Sequence, residues 1–341
     1  MQPFQFSRAG DLQSAYSAYR AAVAEGTDAA HSRSQYLAGG TTLIDLMKLG
    51  VMRPDRVVDI NDLDRTNAGR IEFAGDRLRL GALTRMSTVA DHPDVRRDFP
   101  VIAQSLQLAA SAQIRNMASL SGNVLQRTRC SYFRDTSYTD CNKREPGSGC
   151  AALTGINRSH AILGTSDGCI ATYPGDFAQA LIALDAQVEV MGQKGRREFP
   201  FANLHRQPGQ TPHLETTLAP GELITAFGIT RAPFIRRSLF LKVRDRQSYE
   251  FALASAAVAV DLDGDTVKQA RIALGGVATV PWRAREAEAS LRNQRLDETT
   301  LGRAADLAFA DAWPREHNAF KIELGKRTLM RALRQARAME I

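Results

Sequence analysis

Gln35-Tyr36-Leu37-Ala38-Gly39-Gly40-Thr41-Thr42-Leu43-Ile44-Asp45-Leu46-Met47-Lys48-Leu49-Gly50 reads as a short strand, a double-glycine corner and a helix that stops at a glycine. Residues 35–38 carry the strand and residues 43–48 the helix, with Gly50 in the expected C-terminal position. At such a corner the backbone N–H groups and the helix dipole converge on one anion site, and the Thr41 and Thr42 hydroxyls add donors. One corner of this kind is more often an ordinary turn. A second follows at Ser119-Leu120-Ser121-Gly122-Asn123, and two together point to a diphosphate cradled between two loops. Neither G-x-G-x-x-G nor G-x-x-x-x-G-K-[ST] occurs, which argues against a standard Rossmann or P-loop site.

On either side of these corners helices and strands are mixed, which gives an α+β class. The pattern predicts an amphipathic helix over residues 11–25, strands over 56–60 and 77–82, and a helix over 101–112 leading into Gln113-Ile114-Arg115-Asn116. Residues 176–190 hold a helix and then a strand. Residues 205–220, rich in Pro, Gly and Thr, read as a long loop leading to a domain boundary near 225–235. Strands at 251–262 and 269–277 flank Asp263-Gly264-Asp265, a strong hairpin signal. Helices at 284–293, 298–311 and 318–338 follow.

The 341 residues are 44% hydrophobic and 24% charged, ordinary for a globular protein with real cores in two or three domains. The net charge of +7 is spread without basic runs or aromatic interleaving. A solvated basic surface or an acidic partner is therefore expected, and nucleic-acid binding is not. The apolar run 251–260 is too short to span a bilayer. Met1-Gln2-Pro3-Phe4-Gln5-Phe6 lacks the charged and apolar regions of a signal peptide. The expectation is a chain without its own export signal, either cytoplasmic or carried to the periplasm by a signal-bearing partner subunit.

All four cysteines, Cys130, Cys141, Cys150 and Cys169, fall in one window with the spacing C-x10-C-x8-C-x18-C. Turn-formers (Pro146, Gly147, Ser148, Gly149) and cations (Arg127, Arg129, Arg134, Lys143, Arg144) surround them. A chain of this length does not need disulfide staples. A structural zinc site usually shows a C-x2-4-C knuckle, and none occurs. A cubane iron–sulfur cluster accepts widely spaced loop ligands, and nearby cations would offset its negative charge. Spacing alone leaves the cluster, zinc and unligated or disulfide cysteines all open, and suits the cluster best. The six histidines are isolated. His160, inside the window, is either a satisfied polar side chain or a ligand or donor to the sulfurs.

Taken in order, these segments resemble the FAD-binding subunits of the molybdenum hydroxylases, the xanthine dehydrogenase and carbon monoxide dehydrogenase flavoprotein family. The resemblance covers nearly the whole chain. It rests on residues 37–43, on Gln113-Ile114-Arg115-Asn116 with residues 119–123, and on Pro174-Gly175-Asp176, where the family often has Ser in place of Gly175. Leu223-Ile224, Lys242 ten residues before Ala252, and Ile272-Ala273-Leu274-Gly275-Gly276-Val277-Ala278 add to it. The cysteine window, with Gln126-Arg127-Thr128-Arg129-Cys130 and Cys141-Asn142-Lys143-Arg144, resembles the branch of trimeric periplasmic aromatic-aldehyde oxidoreductases whose flavin subunit carries an extra [4Fe–4S] cluster. Hydroxybenzoyl-CoA reductase flavin subunits are also similar and are the nearest rival.

The resemblance implies a two-part PCMH-type FAD-binding domain over 1–228, with a cysteine-bearing insertion at 126–170. A small α+β domain like the CO dehydrogenase flavoprotein C-terminal domain would follow over 229–341. It implies FAD held by Gln35, Tyr36, Leu37, Ala38, Gly39, Gly40, Thr41, Thr42, Leu43, Ala118, Ser119, Gly122, Asn123 and Leu125. Asp176 would accept hydrogen bonds from ribityl or ribose hydroxyls, and Leu223 and Ile224 would pack on a ring. Lys242 would place a positive charge near the flavin; without the resemblance it would read as a surface lysine. Cys130, Cys141, Cys150 and Cys169 would hold the [4Fe–4S] cluster. The implied partners are a large subunit with the molybdenum cofactor, a small subunit with two [2Fe–2S] clusters, and an external electron acceptor. The implied function is electron transfer from aldehyde oxidation, with hydroxylation on the partner and no acid–base catalyst on this chain. A zinc-stabilised interaction module without redox function is the contrasting reading.

Overall fold

The computed structural model describes residues 1–21 and 32–341; residues 22–25 of the first predicted helix, and His31, lie outside them. Near the N-terminus, β1 (Gln5–Arg8), β2 (Ser34–Leu37) and β3 (Arg56–Asp59) form a parallel sheet in the order β1-β3-β2. Helix α1 (Leu12–Arg20) starts where Asp11 accepts a bond from Ser14 N; it buries Ala15 with Val58 and Ile60, and one turn on it buries Tyr19, whose ring lies 4.6 Å from that of Tyr36. The first glycine corner joins β2 to α2 (Leu43–Lys48).

Next comes an antiparallel sheet of five strands in the order β4-β5-β8-β6-β7: β4 (Ile71–Ala74), β5 (Arg77–Gly81), β6 (Gln187–Gly192), β7 (Gly195–Pro200) and β8 (Leu223–Thr230). It is covered by α3 (Met86–Asp91), α4 (Pro93–Asp98), α5 (Pro100–Gln107), α6 (Ala112–Met117), α7 (Leu120–Val124) and α9 (Phe177–Ala183). Phe99, Ile102, Leu106, Leu181 and an edge-to-face pair, Phe177 on Phe227 at 5.8 Å, fill its core.

The third layer is the antiparallel sheet β12-β11-β10-β9: β9 (Ser238–Val243), β10 (Ala254–Asp263), β11 (Thr266–Gly275) and β12 (Trp282–Arg283). Helices α10 (Arg285–Leu291), α11 (Glu298–Ala308) and α12 (Phe320–Arg337) accompany it; α12 buries Leu329 and Leu333, each worth roughly 2 kcal/mol of burial. The cysteine segment, with the single turn α8 (Ser131–Arg134), packs Phe133 on Leu46 of α2 and sends Ile162 and Leu163 into the third layer's core. The class is α+β, as the pattern implied.

Two of the departures from the expected element boundaries have a clear local reason. The helix expected over 101–112 stops at Gln107: Ala110 takes φ 48°, and Ser111 then caps α6 by accepting from Ile114 N. The hairpin is tighter than expected, because Gly264 at φ 56° lets Asp263 pair directly with Thr266.

Candidate flavin and cysteine site

The two glycine corners meet backbone to backbone. A Cβ on Gly39 would overlap the Met117 carbonyl, just before the second corner, so only glycine lets the loops approach this closely. Gly40 takes φ 73°, a second reason for glycine there. Thr42, the residue before α2, makes no side-chain capping bond, which leaves its hydroxyl for a ligand. Ser119 is different: its Oγ accepts from Gly122 N at 3.1 Å and shapes the second corner. Asn123 Oδ1 is buried without a donor among the described residues.

Two cavities flank this cradle and share Thr41, Thr42, Ala118 and Gly122. The first, about 430 Å³, is lined by Gln35, Tyr36, Ala38, Gly39, Gly40, Leu43, Ser119, Leu125, Leu223 and Ile224. Tyr36 is set by a bond from its hydroxyl to Gly221 O at 2.9 Å, and burial pushes its phenol well up. The second, about 480 Å³, takes in Asn123, Asp176 and Lys242. Leu37 lines neither; it lies beneath Gly40. A dinucleotide has a diphosphate at its middle and a ring system at each end. Two cavities joined at a glycine cradle match that outline.

Lys242 is not a surface lysine. Its Nζ donates to Asp176 Oδ2 at 2.6 Å and to Leu108 O at 3.1 Å, with both side chains almost fully buried. The charges expected to face ribose hydroxyls and the flavin separately are therefore paired with each other. Burial pushes the Asp176 carboxyl up, against the pull of Lys242.

Sequence reasoning missed the far wall of the first cavity. Leu214, Glu215 and residues 216–222 line it, most of them within the 205–220 stretch read only as a long loop. Glu215 pairs with Arg127 at 3.3 Å and with Lys143 at 3.0 Å. Burial opposes its charge, but the two cations hold its carboxyl down at about 2. An acidic residue in an otherwise Pro-, Gly- and Thr-rich loop was the available signal.

The four cysteines are free and gather beside these cavities. Cys141 and Cys150 face each other across an antiparallel bridge, with the turn between them closed on Asn142 Oδ1, which accepts from Gly147 N and Gly149 N. Burial pushes the Cys130 thiol up to about 12 and the Cys169 thiol to about 11; Cys141 raises both, and Cys150 also. His160 Nε2 lies 3.1 Å from Cys130 Sγ. Arg129 and Arg134, on either side of Cys130, both pair with Asp45 on α2. Four free thiols on one loop are a donor set that a thiolate-bound metal group would take up with loss of their protons. Among the described residues, no group of three or more His, Cys, Asp or Glu side chains stands where it could hold a metal ion.

Residues 2–231 match the FAD binding domain in molybdopterin dehydrogenase, and residues 240–336 match the CO dehydrogenase flavoprotein C-terminal domain. The chain belongs to the FAD-binding subunits of the molybdenum hydroxylase family. This flavin subunit is 46% identical over 308 residues to the aldehyde oxidoreductase FAD-binding subunit PaoB of Escherichia coli (strain K12), covering 89% of this chain and 92% of that one. It is 26% identical over 306 residues to the carbon monoxide dehydrogenase medium chain of Afipia carboxidovorans, covering 89% and 88%. Its fold matches the carbon monoxide dehydrogenase from Hydrogenophaga pseudoflava with a TM-score of 0.75 at 23% identity, over 99% of both chains. No helix among the described residues of the flavin subunit is long and apolar enough to cross a membrane.

Proposed function

We propose that this flavin subunit is the FAD- and [4Fe–4S]-carrying electron-transfer subunit of a heterotrimeric, molybdenum-dependent aldehyde oxidoreductase. Its partners are a large subunit with the molybdenum cofactor, where the aldehyde is oxidised, and a small subunit with [2Fe–2S] clusters. Electrons leave the complex to an external acceptor. The carrying observation is the double-glycine cradle between two cavities, joined through Arg127 and Lys143 to a loop bearing four free cysteines. The 46% identity to an aldehyde oxidoreductase subunit supports the substrate class.

Bound FAD supplies the ability to take electrons singly and release them in pairs. The chain's own contribution is placement. The loops at 39–43 and 119–123 hold the diphosphate through backbone N–H groups, and Thr41 and Thr42 add hydroxyls. Leu223 and Ile224, both buried, offer an apolar wall for a ring. The Lys242–Asp176 pair gives the second cavity a polar floor without net charge. Cys130, Cys141, Cys150 and Cys169 hold the iron, and Lys143, whose charge acts on the Cys169 sulfur, offsets part of its negative charge.

The test is anaerobic purification of the complex followed by flavin and iron assay and by flavin bleaching with an aromatic aldehyde. The expected result is one FAD per trimer, iron in excess of the small subunit's content, and bleaching by aldehyde. A complex without FAD sinks the whole reading; zinc in place of the surplus iron sinks the cluster alone. Replacing Cys141 by Ser then separates two roles for the cluster. Normal bleaching with lost turnover toward the acceptor supports a conduit, and loss of trimer supports a brace.

A further inference from the structure

Behind the cysteine loop stands a buried cation that no carboxylate answers. Lys321 of α12 is fully buried, and its Nζ donates to Ser159 O at 2.9 Å and Gly276 O at 2.7 Å. Among the described residues no acidic group pairs with it; the charge it feels most is another cation, Arg158. Burial lowers its pKa to about 7. An ammonium so placed costs several kcal/mol unless negative charge lies nearby.

The residues around Lys321 lead to the sulfurs. Helix α12 and the turn before it fasten the segment 157–161 at several points: His317 N donates to Asn157 Oδ1 at 3.0 Å, and Asn318 Nδ2 donates to Ala161 O at 3.2 Å. Lys321 adds the bond to Ser159 O. What this clamp presents is the ring of His160, 2% exposed, with Nε2 at 3.1 Å from Cys130 Sγ. The other ring nitrogen, Nδ1, is buried and has no partner among the described residues. A buried N–H without an acceptor costs more than a bare lone pair, so the ring proton belongs on Nε2. From there it points at the Cys130 sulfur, which accepts weakly as a thiol and more strongly when it carries the charge of a metal ligand.

We infer that His160 is a positioning residue for the cluster, giving one N–H···S bond to the Cys130 ligand, and that Lys321 is the buried counter-charge behind it. This rests on the proposed [4Fe–4S] assignment. Both groups favour the more negative, reduced cluster, one by a hydrogen bond to a ligand sulfur and the other by its charge. Together they raise the cluster's reduction potential above the value the four cysteines alone would set. The C-terminal domain thereby takes part in a site whose ligands all lie in the insertion.

The experiment is a dithionite titration of the intact complex, following the reduced-cluster EPR signal and counting iron in each variant. His160→Leu is expected to keep its iron and reduce at a lower potential. His160→Gln, which restores an N–H donor, is expected to recover part of the shift. Lys321→Gln, which removes the charge and leaves the Cys130 contact in place, is expected to lower the potential as well. An unchanged potential in iron-replete His160→Leu overturns the hydrogen-bond part. If that variant loses iron, Lys321→Gln decides, and an unchanged potential there overturns the inference. A wild-type complex lacking surplus iron overturns the cluster assignment instead, which iron counting reveals before any titration.

Discussion

Lys143 Nζ stands 3.0 Å from Glu215 Oε1, so the turn between Cys141 and Cys150 is tied to the wall of the first cavity. Arg127 reaches the same carboxylate from just before Cys130, and Lys143 also donates to Pro212 O at 3.1 Å. The cysteine segment is therefore part of the scaffold of the first cavity and not an appendage to it. Replacing Glu215 by Gln removes the shared anion and leaves two cations facing each other. The expected cost is about 2 kcal/mol, below that of breaking a fully enclosed pair because a fifth of the side chain stays exposed.

Glu215→Gln should accordingly release FAD at least several-fold faster while keeping the iron proposed for the four cysteines. The measurement is flavin fluorescence during gel filtration, with iron counted in the same fractions. Its pH dependence has a definite sign. The folded carboxyl is held at about 2 against an ordinary 4.5, so its stabilisation is present above about 4.5 and fades as pH falls toward 2. The gap in melting temperature between wild type and Glu215→Gln should close over that window and stay constant from pH 5 to 8.

Gly39→Ala tests the cradle directly. A methyl group there overlaps backbone of the opposite loop, which no side-chain rotation relieves. The two corners must part, and FAD content should fall by an order of magnitude or more. Thr42→Ala removes only a hydroxyl and should keep most of the FAD. Equal flavin content in Gly39→Ala and wild type would falsify the two-corner cradle.

Much of this site was legible in the sequence because its parts are local. A strand, two glycines and a helix follow one another directly at residues 35–48, and four cysteines share one window. What was not legible depends on chain brought from far away. Lys242 and Asp176 are 66 positions apart, and nothing local shows that one neutralises the other. Glu215 looked like linker because a loop's composition reports its flexibility and not what it covers. His160 was noticed only for its place in the window. The segment that carries it is held by Asn318 and Lys321, more than 150 residues later in the chain, and no short-range pattern encodes that.

His205 gives a second pH signature. Its Nε2 donates to Val124 O at 3.2 Å, bracing the end of the second corner's helix, while Tyr173 and Phe201 enclose the ring. Burial lowers its pKa to about 4, so the folded chain holds it neutral where the unfolded chain, near 6.5, is already protonated. Stability should therefore fall as pH drops from about 6.5 to about 4, by on the order of 2 kcal/mol. His205→Gln keeps a donor for Val124 O and cannot titrate. Its denaturation midpoint should be flatter across that window, and an identical slope in both proteins would remove His205 from the explanation.

The Lys242–Asp176 pair decides between two roles for the lysine. If Lys242 acts chiefly on the flavin, Lys242→Met should lower the flavin's reduction potential, and Asp176→Asn should raise it by freeing the charge. The geometry argues for the other role, since a 2.6 Å contact between nearly inaccessible groups leaves little net field at the cavity. Removing Lys242 alone strands a buried carboxylate and should cost about 3–5 kcal/mol. Replacing both, as Lys242→Met with Asp176→Leu, should recover most of that loss, because neither burial penalty is then left unanswered. Urea denaturation of the four combinations gives the coupling energy. A coupling near zero, with a large shift in flavin potential for Lys242→Met alone, would return the lysine to the flavin.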